Sequence, residues 1–428
     1  MKKLLEFVIV IFFFFLCLLT LVHAQERILE PGFHPYISVQ EEYSDNINLT
    51  STNKIDDYIT TISPGLKYTN MGVNAGVDLD YHLGLVFYGK ATGNNYISHN
   101  GSLEAKYLTK EHWNFYIKDY LVRSEDNREQ EYFTTTAENK FVLSTQTTRA
   151  VYLRNVVAPT VEYQFGRENR VGLNYRNNIY RTDNTISENS DENYFNPFVD
   201  YWLNPNNGLH FEYGYDVGHF EQSPDMTGHI ANARYTYRIK TAFSVFGDYT
   251  FTRRQFNSPS IDLDYDIHNS AVGVTYIFSP TLSASAQVGY FWQTPDVGSG
   301  TNGVSYKASI MKLGDARTTY VVGLQGGYTE DYFTAENLGF QKYHRLTGSV
   351  THFLEKRLSV IFAGSIERVE FISQDRNDWI WGVGGTLSYM PLKWLTLALE
   401  ISHKEDDSNT DIFDYTENRG LIKIIATY

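Results

Sequence analysis

The sequence predicts an all-β fold: a closed antiparallel transmembrane β-barrel of about 18–20 strands, with short periplasmic turns and longer external loops. Three observations predict it. One long stretch alternates strictly between apolar and polar residues, the joints between candidate strands alternate between short and long, and the chain is rich in Tyr and Trp. Past the N-terminus no stretch approaches the ~18 apolar residues that a spanning helix needs, so any crossing must be made by strands.

The alternating stretch is Val73 to Tyr88. Its odd positions read Val73, Ala75, Val77, Leu79, Tyr81, Leu83, Leu85 and Phe87; its even positions include Asn74, Asp78, Asp80 and His82. A side-chain period of two is a strand wetted on one face. At ~3.3 Å per residue it would cross a bilayer even when tilted.

Taken in order, the chain opens with Lys2 and Lys3, an apolar run from Phe7 to Val22, and Val22-His23-Ala24. That is the pattern of a secretory leader, so residues 1–24 are expected to be a signal peptide cleaved after Ala24. Cys17, the chain's one cysteine, would leave with it, and neither disulfides nor thiolate metal sites are expected. Residues 25–33 read as an irregular N-terminal segment and residues 34–428 as one barrel, because no linker or change of composition interrupts the pattern. The formal charge of −14 makes the chain a poor partner for nucleic acid, and none is expected.

Short joints have turn compositions: Thr69-Asn70-Met71-Gly72, Gly166-Arg167-Glu168-Asn169, Asn204-Pro205-Asn206-Asn207, Ser279-Pro280-Thr281 and Leu354-Glu355-Lys356-Arg357. Longer polar joints are expected at Ser44–Asp56, Ser124–Glu131, Ser187–Glu192, Thr294–Asn302 and Lys404–Thr410. A propeller is excluded by spacing: about 40 residues here hold one hairpin of long strands, where a blade would hold four short ones. Gln130 to Thr148 is the region hardest to divide. An even strand number is expected if both ends lie on the periplasmic side. The chain ends with Gly420, Ile422, Ile424, Ala426 and Tyr428 on one face. This amphipathic last strand resembles the signal by which outer-membrane barrels are recognised for assembly, so the barrel assembly machinery is an expected partner, beside outer-membrane lipid and lipopolysaccharide.

Strand number decides which face meets lipid. A closed barrel of about twenty strands is too wide to fill with Val and Leu, so its interior is wet and its apolar face is the outer one. The 33 Tyr and 6 Trp then belong mostly to aromatic girdles at the two membrane interfaces. Tyr116 and Tyr120 are instead candidates for stacking against sugars inside. On this phase the lumen-facing candidates are Asp78, Asp80, His82, Glu162, Arg176, Asp200, Glu212, Asp216, Arg234 and Asp248. The set has both signs, which predicts a non-selective or mildly cation-preferring lumen.

Other motifs fail on chemistry. Gly84 to Ala91 is one residue from a phosphate-binding loop, but it lies on a strand and has Ala91 where Ser or Thr is needed. Asp262, Asp264 and Asp266 start like a calcium loop but lack Gly at Ile267 and Glu at Gly273. They read as a hydrated rim, with a β-bulge after Asn269-Ser270 where the apolar phase moves to Val272, Val274 and Tyr276. No nucleophile elbow or zinc-protease motif is present, so no catalytic residues, cofactor or metal are expected. A hydrolase assembled from separate strands is a third reading.

Two stretches resemble a known family. Asp57-Tyr58-Ile59-Thr60-Thr61-Ile62-Ser63-Pro64-Gly65-Leu66 and Val161-Glu162-Tyr163-Gln164-Phe165-Gly166-Arg167-Glu168-Asn169, continuing to Leu173-Asn174-Tyr175-Arg176, are similar to strands of the putative β-barrel porin 2 family of bacterial outer-membrane proteins. The resemblance implies a Gram-negative outer membrane and a role in passing or secreting exopolysaccharide. The leading expectation is thus an outer-membrane channel, the second a non-conducting structural or docking barrel.

Overall fold

The structure, a computed structural model, describes residues 30–126, 149–183, 187–259, 262–313, 317–333 and 337–428. The expected leader and the whole of Gln130–Thr148 lie outside them. Twenty strands run in chain order: β1 (Gly32–Ser44), β2 (Asp57–Met71), β3 (Ala75–Tyr88), β4 (Tyr96–Leu108), β5 (Trp113–Ser124), β6 (Tyr152–Gln164) and β7 (Arg170–Thr182). Next come β8 (Ser190–Asn204), β9 (Asn207–Phe220), β10 (Met226–Lys240), β11 (Phe243–Phe256), β12 (Tyr265–Ser279), β13 (Leu282–Pro295) and β14 (Thr301–Leu313). The last are β15 (Thr318–Asp331), β16 (Gly339–Glu355), β17 (Leu358–Phe371), β18 (Arg376–Leu392), β19 (Leu395–Ser408) and β20 (Tyr415–Thr427). Each pairs antiparallel with the next, and β20 pairs with β1, so the sheet closes without an edge. Closure satisfies the backbone without water, which hydrocarbon demands.

Short and long joints alternate around the cylinder. Pro205-Asn206, Thr241-Ala242, Pro280-Thr281, Lys356-Arg357 and Lys393-Trp394 each link two strands at one end, and longer segments such as 45–56 and 257–264 link them at the other. Register shifts fall beside these five tight turns, for example between Ile277 and Ser279 and between Phe353 and Glu355. This is where a hairpin absorbs one extra residue.

Several boundaries differ from the sequence reading. β3 begins at Ala75, so Val73 and Asn74 belong to the turn. β1 begins at Gly32, so Gly32 and Phe33, read as irregular, are its first residues. β8 begins at Ser190 and β19 runs to Ser408, which makes strand of residues read as loop at Ser187–Glu192 and Lys404–Thr410. The physical reason is that the ladder continues past the apolar band into polar surroundings, where polarity no longer marks a loop. Of the three aspartates, only Asp266 lies in β12. The expected bulge is absent: β11 and β12 stay in unbroken register from Tyr265 to Tyr276. Asp266, Val272, Val274 and Tyr276 share one face throughout; the change from acidic to apolar reflects depth.

Two aromatic rows mark the outer face. Toward the short-turn end lie Tyr68 on Phe33, Trp113 on Tyr163, and Tyr276 on Phe278, with ring centroids 4.7, 5.0 and 4.3 Å apart. Toward the long-loop end lie Tyr43 on Tyr58, Tyr175 on Phe195 and His268 on Trp292, at 5.0, 4.8 and 5.2 Å. From His268 to Phe278 is about 33 Å of strand at ~3.3 Å per residue, hence about 25 Å along the membrane normal at ~40° tilt, the height of an outer-membrane apolar band.

Candidate functional site

Contacts between strands that are not neighbours identify the interior. Arg254 on β11 is held by Glu330 on β15 through two 3.0 Å bonds and by Asp216 on β9 at 3.0 Å. Such reach is open only to side chains inside the cylinder. Along β3, the even residues lie on this inner face, while Tyr81 and Phe87 on the odd face are exposed.

The ten sequence candidates fall on the inner register in three groups. Asp80 accepts a bond from Tyr36 of β1 at 2.7 Å and lies 3.6 Å from His82, and Lys67 sits 3.6 Å from Asp78. A charge ladder then runs along the wall. Arg170 bridges Glu162 at 3.2 Å and Asp200 at 2.6 Å, His210 bonds Asp200 at 2.7 Å and lies 3.6 Å from Glu212, and Arg234 pairs with Asp248 at 2.7 Å. Nearer the long-loop end, Arg176 pairs with Glu192, and Asp216 with Arg254. Tyr116 and Tyr120 are on the inner face too, Tyr120 3.5 Å from Glu104. Sequence reasoning missed Arg170 and His210; the ladders set Asp200 opposite Arg170 on one side and opposite His210 on the other, a register that the long joint between β7 and β8 does not announce. The wall from β13 to β17 differs: Ser283, Ser285, Gln287, Ser305, Thr347 and Ser349 face inward there, with Lys307.

A strap crosses the lumen in its long-loop half. On β15 the residues Tyr320, Val322 and Leu324 are exposed on the outer face. Gly327, at φ +141°, breaks the alternation, a conformation that side-chain-bearing residues rarely adopt. Beyond it Tyr328 and Glu330 turn inward, and Tyr328 packs on Phe291 and on Phe340 of the returning β16, with ring centroids 5.0 and 5.6 Å apart. Tyr265 donates to Glu330 at 2.5 Å, and its hydroxyl lies 2.6 Å from that of Tyr332. The strap then reaches the wall nearly opposite its own strands. Phe333 stacks on Phe220 of β9 at 5.4 Å, its carbonyl accepts from Arg154 of β6 at 3.3 Å, and Asn337 donates to Glu188 at 2.8 Å.

Glu188, between β7 and β8, is the far anchor. Its carboxylate also accepts from the Ser223 hydroxyl at 2.5 Å and from the backbone N–H groups of Ser223 and Gln222 at 2.7 and 2.9 Å. Burial alone would raise its pKa; the bonds from Asn337, Ser223 and Gln222 outweigh burial and hold it below the ordinary value. The anchor is therefore intact above the ordinary carboxylate range and is lost as pH falls through the depressed value. Conductance recorded as pH is lowered below the ordinary carboxylate range should show the strap loosening. A Glu188→Gln variant should lack that pH step.

Asp262, Asp264 and Asp296 lie together on the outer rim, their nearest oxygens within 4.8 Å. Arg253 fills the cluster, 2.7 Å from Asp296, 3.4 Å from Asp264 and 3.3 Å from Asp266. That guanidinium already supplies the positive charge a cation would bring. It also holds the Asp296 carboxyl below its usual range.

A closed twenty-stranded antiparallel cylinder with a polar inner wall and an inward strap is a porin-like outer-membrane β-barrel channel fold. Residues 220–428, from the end of β9 to the last strand, match the model of the family described as putative beta-barrel porin 2. Both stretches that carried the resemblance in the sequence lie before this segment. No curated protein sequence matches the chain. Among solved structures, the FrpB iron transporter from Neisseria meningitidis (F5-1 variant) aligns over 94% of this chain and 83% of that chain, at 8% identity and TM-score 0.55. OccK2 (OpdF) of Pseudomonas aeruginosa aligns over 92% and 98%, at 8% identity and TM-score 0.41. OccAB4 of Acinetobacter baumannii aligns over 93% and 99%, at 10% identity and TM-score 0.43. At such identities the likeness is one of fold.

Proposed function

We propose that the protein sits in the outer membrane with its long loops outside and passes small hydrophilic solutes through a lumen narrowed by the strap. The observation that carries this reading is the strap itself, Tyr328–Phe333 and Asn337–Phe340, anchored through Glu330 and Glu188 above a wet inner wall. A barrel serving only as scaffold has no use for an internal crossing. A channel uses one to set its bore.

The wall is amphoteric. Arg170, Arg234 and Lys67 are matched by Asp200, Asp248 and Asp78, so neither sign dominates. Purified protein in a planar bilayer should give discrete conductance steps with a reversal potential near zero or slightly cation-preferring in a salt gradient. Absence of steps, or strong anion selectivity, would contradict the reading.

Exopolysaccharide passage is a second reading, favoured by the hydroxyl- and amide-rich wall of β13–β17. It requires the strap to move aside, so exclusion of neutral polymers of graded size separates the two. The non-enzymatic reading belongs here as well. The Thr318 hydroxyl lies 2.8 Å from the His352 imidazole, a pair that would need a third group orienting the imidazole to make the catalytic relay of a hydrolase. Hydrolysis of ester or peptide substrates by the purified barrel would argue for the hydrolase instead.

A further inference from the structure

The outer face repeats an arrangement that conduction does not use. Three times, a histidine there faces an arginine directly across a strand pair: His99 with Arg123, His229 with Arg253, and His344 with Arg368. Each imidazole also bonds a tyrosine hydroxyl: Tyr81 at 2.9 Å, Tyr213 at 2.6 Å and Tyr306 at 2.8 Å. All three sets lie near the long-loop ends of their strands.

Two of the arginines are engaged. Arg253 is ringed by Asp264, Asp266 and Asp296, and Arg123 donates to the carbonyl of Ile97 at 3.0 Å. Arg368 has no hydrogen bond or ion pair among the described residues. Its guanidinium lies 5.8 Å from the ring centroid of Trp379, whose cross-strand partner is the exposed Asp407. Lys342, on the same face, is 3.1 Å from Glu370.

An apolar groove of about 400 Å³ lies immediately below, on the short-turn side. Its floor is Gly348 paired opposite Gly364, and its walls are Val322, Leu346, Ile366 and Trp381. A Cβ at Gly348 would meet nothing within 4 Å, so the side chain missing there leaves real space on the barrel surface, whereas one at Gly364 would meet the Gly382 carbonyl oxygen at 3.1 Å. From His344 to Leu354 along β16 is about 33 Å of strand, or about 25 Å along the membrane normal, so the polar row marks the outer edge of the hydrocarbon. That is where lipid phosphates reside.

A guanidinium with imidazole and phenol beside it, above an apolar groove of about 400 Å³, fits an amphiphile with an anionic head and a hydrocarbon tail. Arginine suits phosphate because its fork of donors matches the oxygens. We propose that the outer face of β15–β18 is a binding site for the phosphorylated, acylated glucosamine anchor of lipopolysaccharide. The phosphate sits on Arg368 beside His344 and one acyl chain lies along Gly348 and Gly364. The choice of lipopolysaccharide over a glycerophospholipid rests on the reading that the long-loop end is external, since the outer leaflet is where that anchor resides.

The test uses the full chain in detergent, titrated with bis-phosphorylated lipid A and followed by native mass spectrometry. Arg368→Gln should weaken retention about tenfold, the loss of one charge-assisted contact. Gly348→Phe should weaken it comparably while leaving the heat-dependent gel mobility of the barrel unchanged, because its Cβ points into open space. Lipid A stripped of phosphate should bind the unsubstituted protein no better than intact lipid A binds Arg368→Gln. The proposal is overturned if both variants retain unsubstituted affinity, if dephosphorylated lipid A binds equally well, or if phosphatidylglycerol binds as tightly as lipid A. None of these readouts involves conductance, so a silent barrel that holds lipid A would sink the channel reading and leave this one standing.

Discussion

An Arg254→Ala variant should conduct more than the parent protein and admit larger neutral polymers. Arg254 is 5% exposed and holds Glu330 and Asp216 together across the interior. Truncation leaves two buried carboxylates facing each other without the cation, a loss of about 3–5 kcal/mol for a broken buried pair. The barrel wall itself is held by ladders that Arg254 does not join, so the cost falls on the strap. A bias of that size is enough to shift the strap from mostly docked to substantially released. Glu330→Gln keeps the shape and the bonds from Tyr265 while removing one charge, and should give a smaller change in the same direction. If Arg254→Ala leaves both unitary conductance and polymer exclusion unaltered, the strap does not set the bore.

The second large effect is on stability. Arg376 is 1% exposed, chelated by Asp378, which is 0% exposed, and its guanidinium lies over the rings of Phe371 and Phe413 at 4.3 and 3.5 Å. Asp406, 2% exposed, lies in the field of the same two groups. Arg376→Ala would leave the buried Asp378 carboxylate without its counter-ion and remove the packing of two aromatic rings. A loss of about 3–5 kcal/mol is expected. The temperature at which the folded band converts to the unfolded one on a gel should drop accordingly. An unchanged conversion temperature would show that lumen water solvates the carboxylate once the guanidinium is gone.

What the sequence made legible followed from one physical fact, that a sheet between lipid and water alternates. Tyr81, Phe87 and Asp80 in β3 announce their faces, and the tight turns at Pro205-Asn206 and Pro280-Thr281 announce the hairpins. The strap was hidden because Gly327 resets the phase: Glu330 shares its parity with the outward Leu324, and its partner Arg254 is 76 residues away in the chain. Pairwise contacts across a cylinder leave no periodic trace. The rim aspartates misled for a related reason, since composition changes with height above the membrane as well as with face. The outer histidines interrupt an otherwise apolar face. Only pairing shows that His99, His229 and His344 each meet an arginine the same number of residues further on.

Cysteine scanning with spin labels tests the central claim most directly. Cys17 is the only thiol of the chain, so once it is absent each introduced cysteine is read alone. Labels at Tyr81, Leu83 and Leu85 should collide with dissolved oxygen and be shielded from a water-soluble nickel chelate. Labels at Asp78, Asp80 and His82 should do the reverse, giving a period of two along β3. Uniform accessibility, or alternation of the opposite phase, would contradict a barrel whose apolar face meets lipid and whose polar face encloses water.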